Sequence, residues 1–306
     1  MSENRMNEKF LVAQGIEKSY GKQTVLRGVN LQIQPGCIYG LIGRNGVGKT
    51  TLLGILTGQN THDAGTVTYG GQPVWENPAA LADICFSREM NSAAANQGRG
   101  AQKVKDYLRA GAIFYPRWDA DYAARLVQLF KLDTKKQIMK LSKGQASMVT
   151  IVLALASRAP ITILDEPVAG MDVVAREQFY RLLLDDYAET GRTFIVSTHI
   201  IEEAANIFER VVILDEGRVI EDCPTDELVD QFRYVSGEEA AVTAALQSCG
   251  AQALSAQSLG RHKMLAVRGS AAQFAALEAA GLSVEPMSLQ NLFVALCGHG
   301  DENAKG

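Results

Sequence analysis

The chain is poor in the features that mark secreted, metal-stapled, membrane-spanning or nucleic-acid-coating proteins. Its five cysteines, Cys37, Cys85, Cys223, Cys249 and Cys297, are scattered, odd in number and never spaced C-x-x-C. That argues against a disulfide framework or a cysteine zinc site and predicts thiols in a reducing compartment. No stretch approaches the 18 apolar residues of a membrane span, and segments such as Ile151 to Ala156 are short core runs. The opening residues, MSENRMNEKF, have no apolar signal-peptide core. Positive charge is scarce as well. Thirty Lys and Arg face 34 Asp and Glu, a formal net charge of −4, so no broad basic surface and no nucleic-acid partner is expected. What remains is 306 residues that are 47% hydrophobic and 21% charged, enough for one large globular domain and a small one. The expectation is a cytoplasmic chain that does not itself cross a membrane.

Against this background, residues 43–50 read Gly-Arg-Asn-Gly-Val-Gly-Lys-Thr and match the phosphate-cradling pattern G-x-x-x-x-G-K-[ST] in full. The context fits. An apolar, strand-like run from Cys37 to Ile42 feeds the loop, and an apolar-rich helix from Lys49 follows it, ended by Gly58. Gly43, Gly46 and Gly48 allow the backbone to turn successive N–H groups inward and leave no side chain to hold phosphate oxygens away. The helix N-terminus adds about half a positive charge. Lys49 is placed to reach the β- and γ-phosphates, and the Thr50 hydroxyl to ligate Mg²⁺. The pattern implies a nucleoside triphosphate site.

Residues 10–34 alternate with turn signals at Tyr20-Gly21 and Pro35-Gly36, which predicts antiparallel strands, and Gly65 to Val74 predicts a hairpin with Gly70-Gly71 at its tip. A polar, small-residue stretch over about 87–100 predicts an exposed loop. Helical periodicity follows over 101–158, broken near Tyr115-Pro116 and Thr134. Strands at Ile161–Leu164, Thr193–Ser197 and Val211–Leu214, separated by helices such as Val174–Glu189, predict a mainly parallel sheet covered on both faces. A helical insertion, about 87–160, thus sits inside an α/β core spanning 1–225. Beyond 225 the composition shifts to Ala, Ser, Gly and Gln. The order of short strands and helices in 226–306 predicts a small α+β, ferredoxin-like βαββαβ unit with one extra helix; a loosely structured extension is the alternative.

Three further segments carry chemistry. Ile161-Thr-Ile-Leu-Asp-Glu is an apolar strand ending in two acids. There Asp165 can hold Mg²⁺ through water, and Glu166 can orient and deprotonate an attacking water. Ser142 and Gln145 have capping-box spacing, so a helix should start there with N–H groups and a dipole favourable to an anion. Ser197-Thr-His199 ends an apolar strand, where an imidazole can donate to a γ-phosphate oxygen.

Together these residues resemble the ATP-binding subunit of ABC transporters, over about residues 8–225. Gly43–Thr50 resembles the Walker A loop, Leu141–Gln145 the signature motif, Ile161–Glu166 the Walker B strand, Ala169–Asp172 the D-loop and His199 the switch histidine. The resemblance implies a P-loop NTPase core with an antiparallel β subdomain and an inserted helical subdomain. It also implies a set of ATP contacts: Asn45 and Thr51 with the rest of the loop, Tyr20 stacked on adenine, and Ser142, Gly144, Gln145 and Asp172 reaching across a dimer. Two chains, identical or paralogous, would close head-to-tail over two ATPs and drive a separate transmembrane permease on which the helical insertion docks. The chain would then sit on the inner face of the cell membrane. The ending Met287-Ser-Leu-Gln-Asn-Leu-Phe-Val-Ala-Leu is similar to tails of ATPases serving drug, antibiotic or polysaccharide exporters, and Phe114-Tyr-Pro-Arg-Trp-Asp to a segment of antibiotic-type members. A non-transport ABC ATPase, or a regulatory subunit with weak hydrolysis, is the alternative.

Two positions depart from the family pattern. Lys143 stands where the signature usually has Gly. Aligning Ile84-Cys-Phe-Ser-Arg-Glu puts Glu89 at the Q-loop glutamine, where a carboxylate is expected to hold Mg²⁺ more tightly or to repel the triphosphate when the metal is absent, unless Gln97 or Gln102 takes that place.

Overall fold

The protein is described from a computed structural model, over residues 9–90, 102–259 and 262–298. Close packing separates two compact units. One runs to His199 and includes Val212–Asp222; the other takes Ile200–Val211 and the described residues from Cys223 onward.

In the first unit, strands β1 (Leu11–Tyr20), β2 (Gln23–Ile33), β4 (Ala64–Tyr69) and β5 (Gln72–Pro73) make an antiparallel sheet ordered β2-β1-β4-β5. A six-stranded sheet is ordered β10-β9-β3-β8-β7-β6, with β3 spanning Ile38–Ile42, β6 Ile84–Arg88, β7 Ile161–Asp165, β8 Thr193–Thr198, β9 Arg210–Asp215 and β10 Arg218–Pro224. Strands β3, β8, β7 and β6 pair in parallel. Every residue of β3, β7 and β8 is buried, as expected of strands covered on both faces. Leu11, Ile16, Leu26 and Ile33 of the antiparallel sheet share one core with Leu41, Leu52, Ile163 and Ile195. The helices are α1 (Lys49–Leu56), α2 (Pro78–Leu81), α3 (Val104–Phe114), α4 (Ala120–Leu129), α5 (Lys143–Ala156) and α6 (Val173–Thr190). Helices α3, α4 and α5 fill the insertion. Its segment Tyr115–Asp119 braces it to the sheet edge: Arg117 donates to Asp83 at 2.7 Å, and Asp119 caps α4 and takes Arg158 at 3.1 Å.

Strands β6 and β10 were not foreseen from sequence patterning. β6 lies at the sheet's edge and takes in Ser87 and Arg88, the start of the stretch expected to be an exposed loop, because both pair with β7. β10 follows a tight turn in which Glu216 and Gly217 both have positive φ, 44° and 76°.

The second unit contains α7 (Ile201–Ala204), α8 (Thr225–Asp230), β11 (Phe232–Glu238), α9 (Glu239–Cys249), β12 (Gln252–Leu259), β13 (His262–Arg268), α10 (Ala271–Ala279), β14 (Ser283–Pro286) and α11 (Leu289–Cys297). Its antiparallel sheet is ordered β12-β13-β11-β14, the ferredoxin-like arrangement of a βαββαβ chain, with α11 as the extra helix. Val235, Val242, Leu265, Val267, Phe274, Leu277 and Leu282 form its core. Ile200–Val211 belongs with this unit because α7 packs on α11 and Thr225 N donates to Glu209 O at 3.0 Å. A composition shift at 225 cannot reveal a segment that joins the unit from further upstream.

Candidate functional site

The phosphate loop joins β3 to α1, and its glycines differ in what they do. A Cβ on Gly43 would lie 2.6 Å from the Leu214 carbonyl oxygen and 2.8 Å from Val47 Cγ1, so this position is closed by packing. Gly48 has φ +112° and a Cβ there would meet Leu26 Cδ2 at 2.9 Å, whereas Gly46, at φ +80°, faces open space. Gly48 is also the N-cap of α1 and brings no capping side chain, so the first-turn N–H groups have no side-chain acceptor. Asn45 and Thr50 are exposed and Thr51 is half-buried at this mouth.

Lys49 is buried, and its ammonium donates to the Gly43 carbonyl at 2.7 Å and that of Arg44 at 3.3 Å, with Glu166 Oε1 at 3.9 Å. Burial pulls its pKa below the ordinary lysine value, and the carboxylates of Glu166 and Asp165 offset part of that pull.

Across from the loop, β7 ends in Asp165. Thr50 Oγ1 donates to Asp165 Oδ2 at 2.7 Å, and Ser197 Oγ donates to Asp165 Oδ1. Glu166 follows with φ +49°, a conformation a non-glycine residue rarely adopts. It is pinned by its N–H donating to the Ser197 carbonyl at 3.1 Å and to Ser197 Oγ at 3.2 Å. His199 Nδ1 lies 2.8 Å from Glu166 Oε2. Lys49, Thr50, Asp165, Glu166 and His199, read separately from the sequence, are therefore in one cluster. Ser197 is the member that sequence reasoning gave no role. Its signal was a hydroxyl at the end of an otherwise apolar strand, two residues before the histidine.

The oxygen donors at Thr50 and Asp165 suit a hard cation such as Mg²⁺, which takes one or two carboxylates and completes its shell with phosphate and water. Among the described residues no three His, Cys, Asp or Glu side chains converge as a metal cage. Glu89 does not join the set expected of it. It lies one residue past the β6–β7 rung that pairs Arg88 with Asp165, but its carboxylate is held by Lys143 Nζ at 2.8 Å. The opposite charge supplied by Lys143 is what turns Glu89 toward α5. Gln102 contributes its carbonyl to Ile138 N–H at 3.0 Å, and Gln97 lies outside the described residues.

A second cluster surrounds the N-terminus of α5. Ser142 accepts from Gln145 N–H at 3.2 Å while the Gln145 side chain accepts from Ser142 N–H at 3.3 Å, a complete capping box. Gly144 is buried, and a Cβ there would lie 2.7 Å from the Gly170 carbonyl. Ser147 Oγ donates to the Ala169 carbonyl at 2.9 Å, and Asp172 caps α6 by accepting from Ala175 N–H at 2.9 Å. Tyr20 is 52% exposed with Lys18 Nζ 5.4 Å from its ring, so it is not a core residue.

The ABC transporter family profile matches residues 26–169. An aliphatic sulfonates import ATP-binding protein of Rhizobium johnstonii is 33% identical over 220 residues, 69% of this chain and 75% of that protein. A Nod factor export ATP-binding protein I of Paraburkholderia xenovorans is 31% identical over 228 residues, 70% of this chain and 71% of the relative. ABC transporter ATP-binding protein YtrB of Bacillus subtilis is 29% identical over 217 residues, 71% of this chain and 73% of the relative. Among solved structures, the ATP-binding subunit of an ABC transporter superimposes with a TM-score of 0.61 at 24% identity, covering 72% of this chain and 91% of that one. A dimeric bacterial ABC transporter cassette does so with a TM-score of 0.60 at 23% identity, covering 70% and 98%.

Proposed function

The chain belongs to the ATP-binding subunits of ABC transporters, and from that premise we propose how its own residues bind and hydrolyse ATP and what they drive. The observation that carries the proposal is the single cluster of Lys49, Thr50, Asp165, Glu166, Ser197 and His199. The triphosphate lies along the 43–50 loop, taken by loop N–H groups and by Lys49, which leaves the Gly43 and Arg44 carbonyls for the phosphates. Tyr20 offers an exposed ring to the adenine. Thr50 and Asp165 would hold Mg²⁺, which would supply positive charge against the phosphates. Glu166 orients the attacking water and takes its proton. His199 holds Glu166 through Nδ1; as an imidazolium it can also donate from Nε2 to a phosphate oxygen. Ser197 fixes both acids at once.

The Ser142–Gln145 turn serves the ATP of a second chain, identical or paralogous, so that two chains close head-to-tail over two nucleotides. The capped N-terminus of α5 supports this, since it offers N–H groups and dipole to an anion. A separate transmembrane permease is the driven partner, with this chain on the inner face of the membrane. No helix among the described residues is long and apolar enough to cross a membrane, and Ile113 and Phe114, each 74% exposed on the insertion, offer an apolar docking face. Export is the proposed direction, on the resemblance of the segment from Met287. Catalysis is assigned to residues up to about 225, and the remainder aids dimerisation or regulation.

The test is Glu166→Gln. It should lower hydrolysis by about 10²–10⁴ while ATP binding persists, and ATP should then accumulate a stable dimer. Turnover near the unaltered rate would remove Glu166 as the base.

A further inference from the structure

The two residues that depart from the family pattern meet each other. Glu89 directly follows β6 at the edge of the core sheet, and Lys143 is the first residue of α5, the last helix of the insertion. Their charged groups are 2.8 Å apart. The Lys143 stem lies over Gly170, where an added Cβ would be 2.7 Å from Lys143 Cγ and 2.8 Å from its Cβ. Gly170 in turn sits in the loop that starts at Glu166, with Ala169 N–H donating to the Glu166 carbonyl at 3.2 Å.

Within the insertion, the start of α3 and the segment ahead of α5 are joined by backbone. Val104 N donates to Lys136 O, Lys105 N to Thr134 O and Ile138 N to Gln102 O, at 3.1, 2.9 and 3.0 Å. The Glu89–Lys143 pair is a side-chain link between the end of β6 and the start of α5. It can be undone without unfolding, because the side chains are 33% and 58% exposed and an exposed pair adds little to stability.

We propose that Glu89 and Lys143 are a positioning pair that locks the end of β6 to the Ser142–Gln145 turn and to the Gly170 loop. With the pair intact, the core strand and the turn move as one piece. With it broken, nucleotide engagement at the turn is no longer passed on to the core strand at full strength, and closure needs more ATP. This rests on the reading that Ser142–Gln145 contacts the nucleotide of a second chain.

The test uses the full chain carrying Glu166→Gln, so that ATP-bound dimers persist, alone and with Glu89→Lys, Lys143→Glu or both. Light scattering gives the ATP concentration at half-maximal dimer, at low and high salt, and thermal unfolding is followed in parallel. Each single reversal should raise that concentration about two- to fivefold, the range expected for an exposed ion pair. The double reversal should bring it back to the parent value, and salt should shrink the single penalties. Penalties that add in the double variant, or that merely track falling melting temperatures, overturn the pair. A parent chain that forms no dimer with ATP overturns the reading of Ser142–Gln145 and takes the pair's role with it. Dimers that form with additive reversals overturn the pair alone.

Discussion

Replacing Lys49 by Met keeps most of its length and removes its charge, and the surroundings set the size of the effect. The ammonium is buried between the Gly43 and Arg44 carbonyls with Glu166 at 3.9 Å, a position sheltered from solvent. One unit charge about 4 Å from a phosphate oxygen at an effective dielectric near 20 is worth about 4 kcal/mol, or roughly a thousandfold in affinity. Titration calorimetry with a non-hydrolysable ATP analogue should therefore find binding by Lys49→Met weakened by about that factor. A loss below about tenfold would mean that loop N–H groups hold the phosphates without the lysine. A pH series gives a second check. Because burial lowers the Lys49 pKa in the free chain, the folded state sheds this proton before the unfolded state does. Stability of the free chain should then rise with pH between the two values, as the penalty for a buried cation lifts. ATP, bringing negative charge, favours the protonated form, so affinity should fall over the same range, with its onset below the ordinary lysine value. Stability and affinity thus move in opposite directions. A parallel fall in both, or a flat affinity profile, would refute the placement of the charge.

The other predictions concern packing and the groups around the acids. Gly43→Ala should destabilise the fold by about 1–3 kcal/mol, since the new methyl meets the Leu214 carbonyl at 2.6 Å, and differential scanning calorimetry reads the cost. Ser197→Ala removes a charge-assisted bond to Asp165 worth about 1.5–3 kcal/mol, so kcat should fall roughly ten- to a hundredfold while the chain still binds ATP; an unchanged kcat would make Ser197 a bystander. Arg117→Ala strips one partner from Asp83. Burial raises the pKa of this carboxyl, but Arg117 and Lys9 together hold it below the usual aspartate value. The stability gained from these partners is present above the unfolded pKa and is lost as pH falls through the folded one. The variant should be about 1–2 kcal/mol less stable at neutral pH and converge with the unaltered chain in acid, measured by urea unfolding.

Much of the nucleotide site was legible because it is carried by short runs whose chemistry is local. A glycine-rich loop, an acid pair after an apolar strand and a serine–glutamine box each declare themselves within a few residues. What stayed hidden depends on register between distant segments. Ser197 is informative only once Asp165 is known to lie opposite it in the β7–β8 ladder. Glu89 is expected at the metal only because the family resemblance aligns it with the Q-loop glutamine, whereas a charge 54 positions away decides where it points. The parallel sheet and the βαββαβ unit followed from alternation of strand and helix. The edge strands β6 and β10 did not: β6 is only five residues long, and β10 mixes Arg, Glu and Asp with its apolar residues and shows no clean alternation.

The strand order has a consequence for how the protein is made. β3, which leads into the phosphate loop, pairs with β8, about 150 residues further along the chain. At roughly 5–20 residues per second a ribosome needs about 8–30 s to supply that partner. Until then β3 is a fully apolar strand with an unpaired edge, and Asp165, Ser197 and His199 do not yet surround the loop. The nascent loop then offers ATP only its own N–H groups and Lys49, and closing so long a chain segment before any sheet contact repays it is slow. ATP should therefore affect refolding chiefly in its last kinetic phase, when β8 docks on β3.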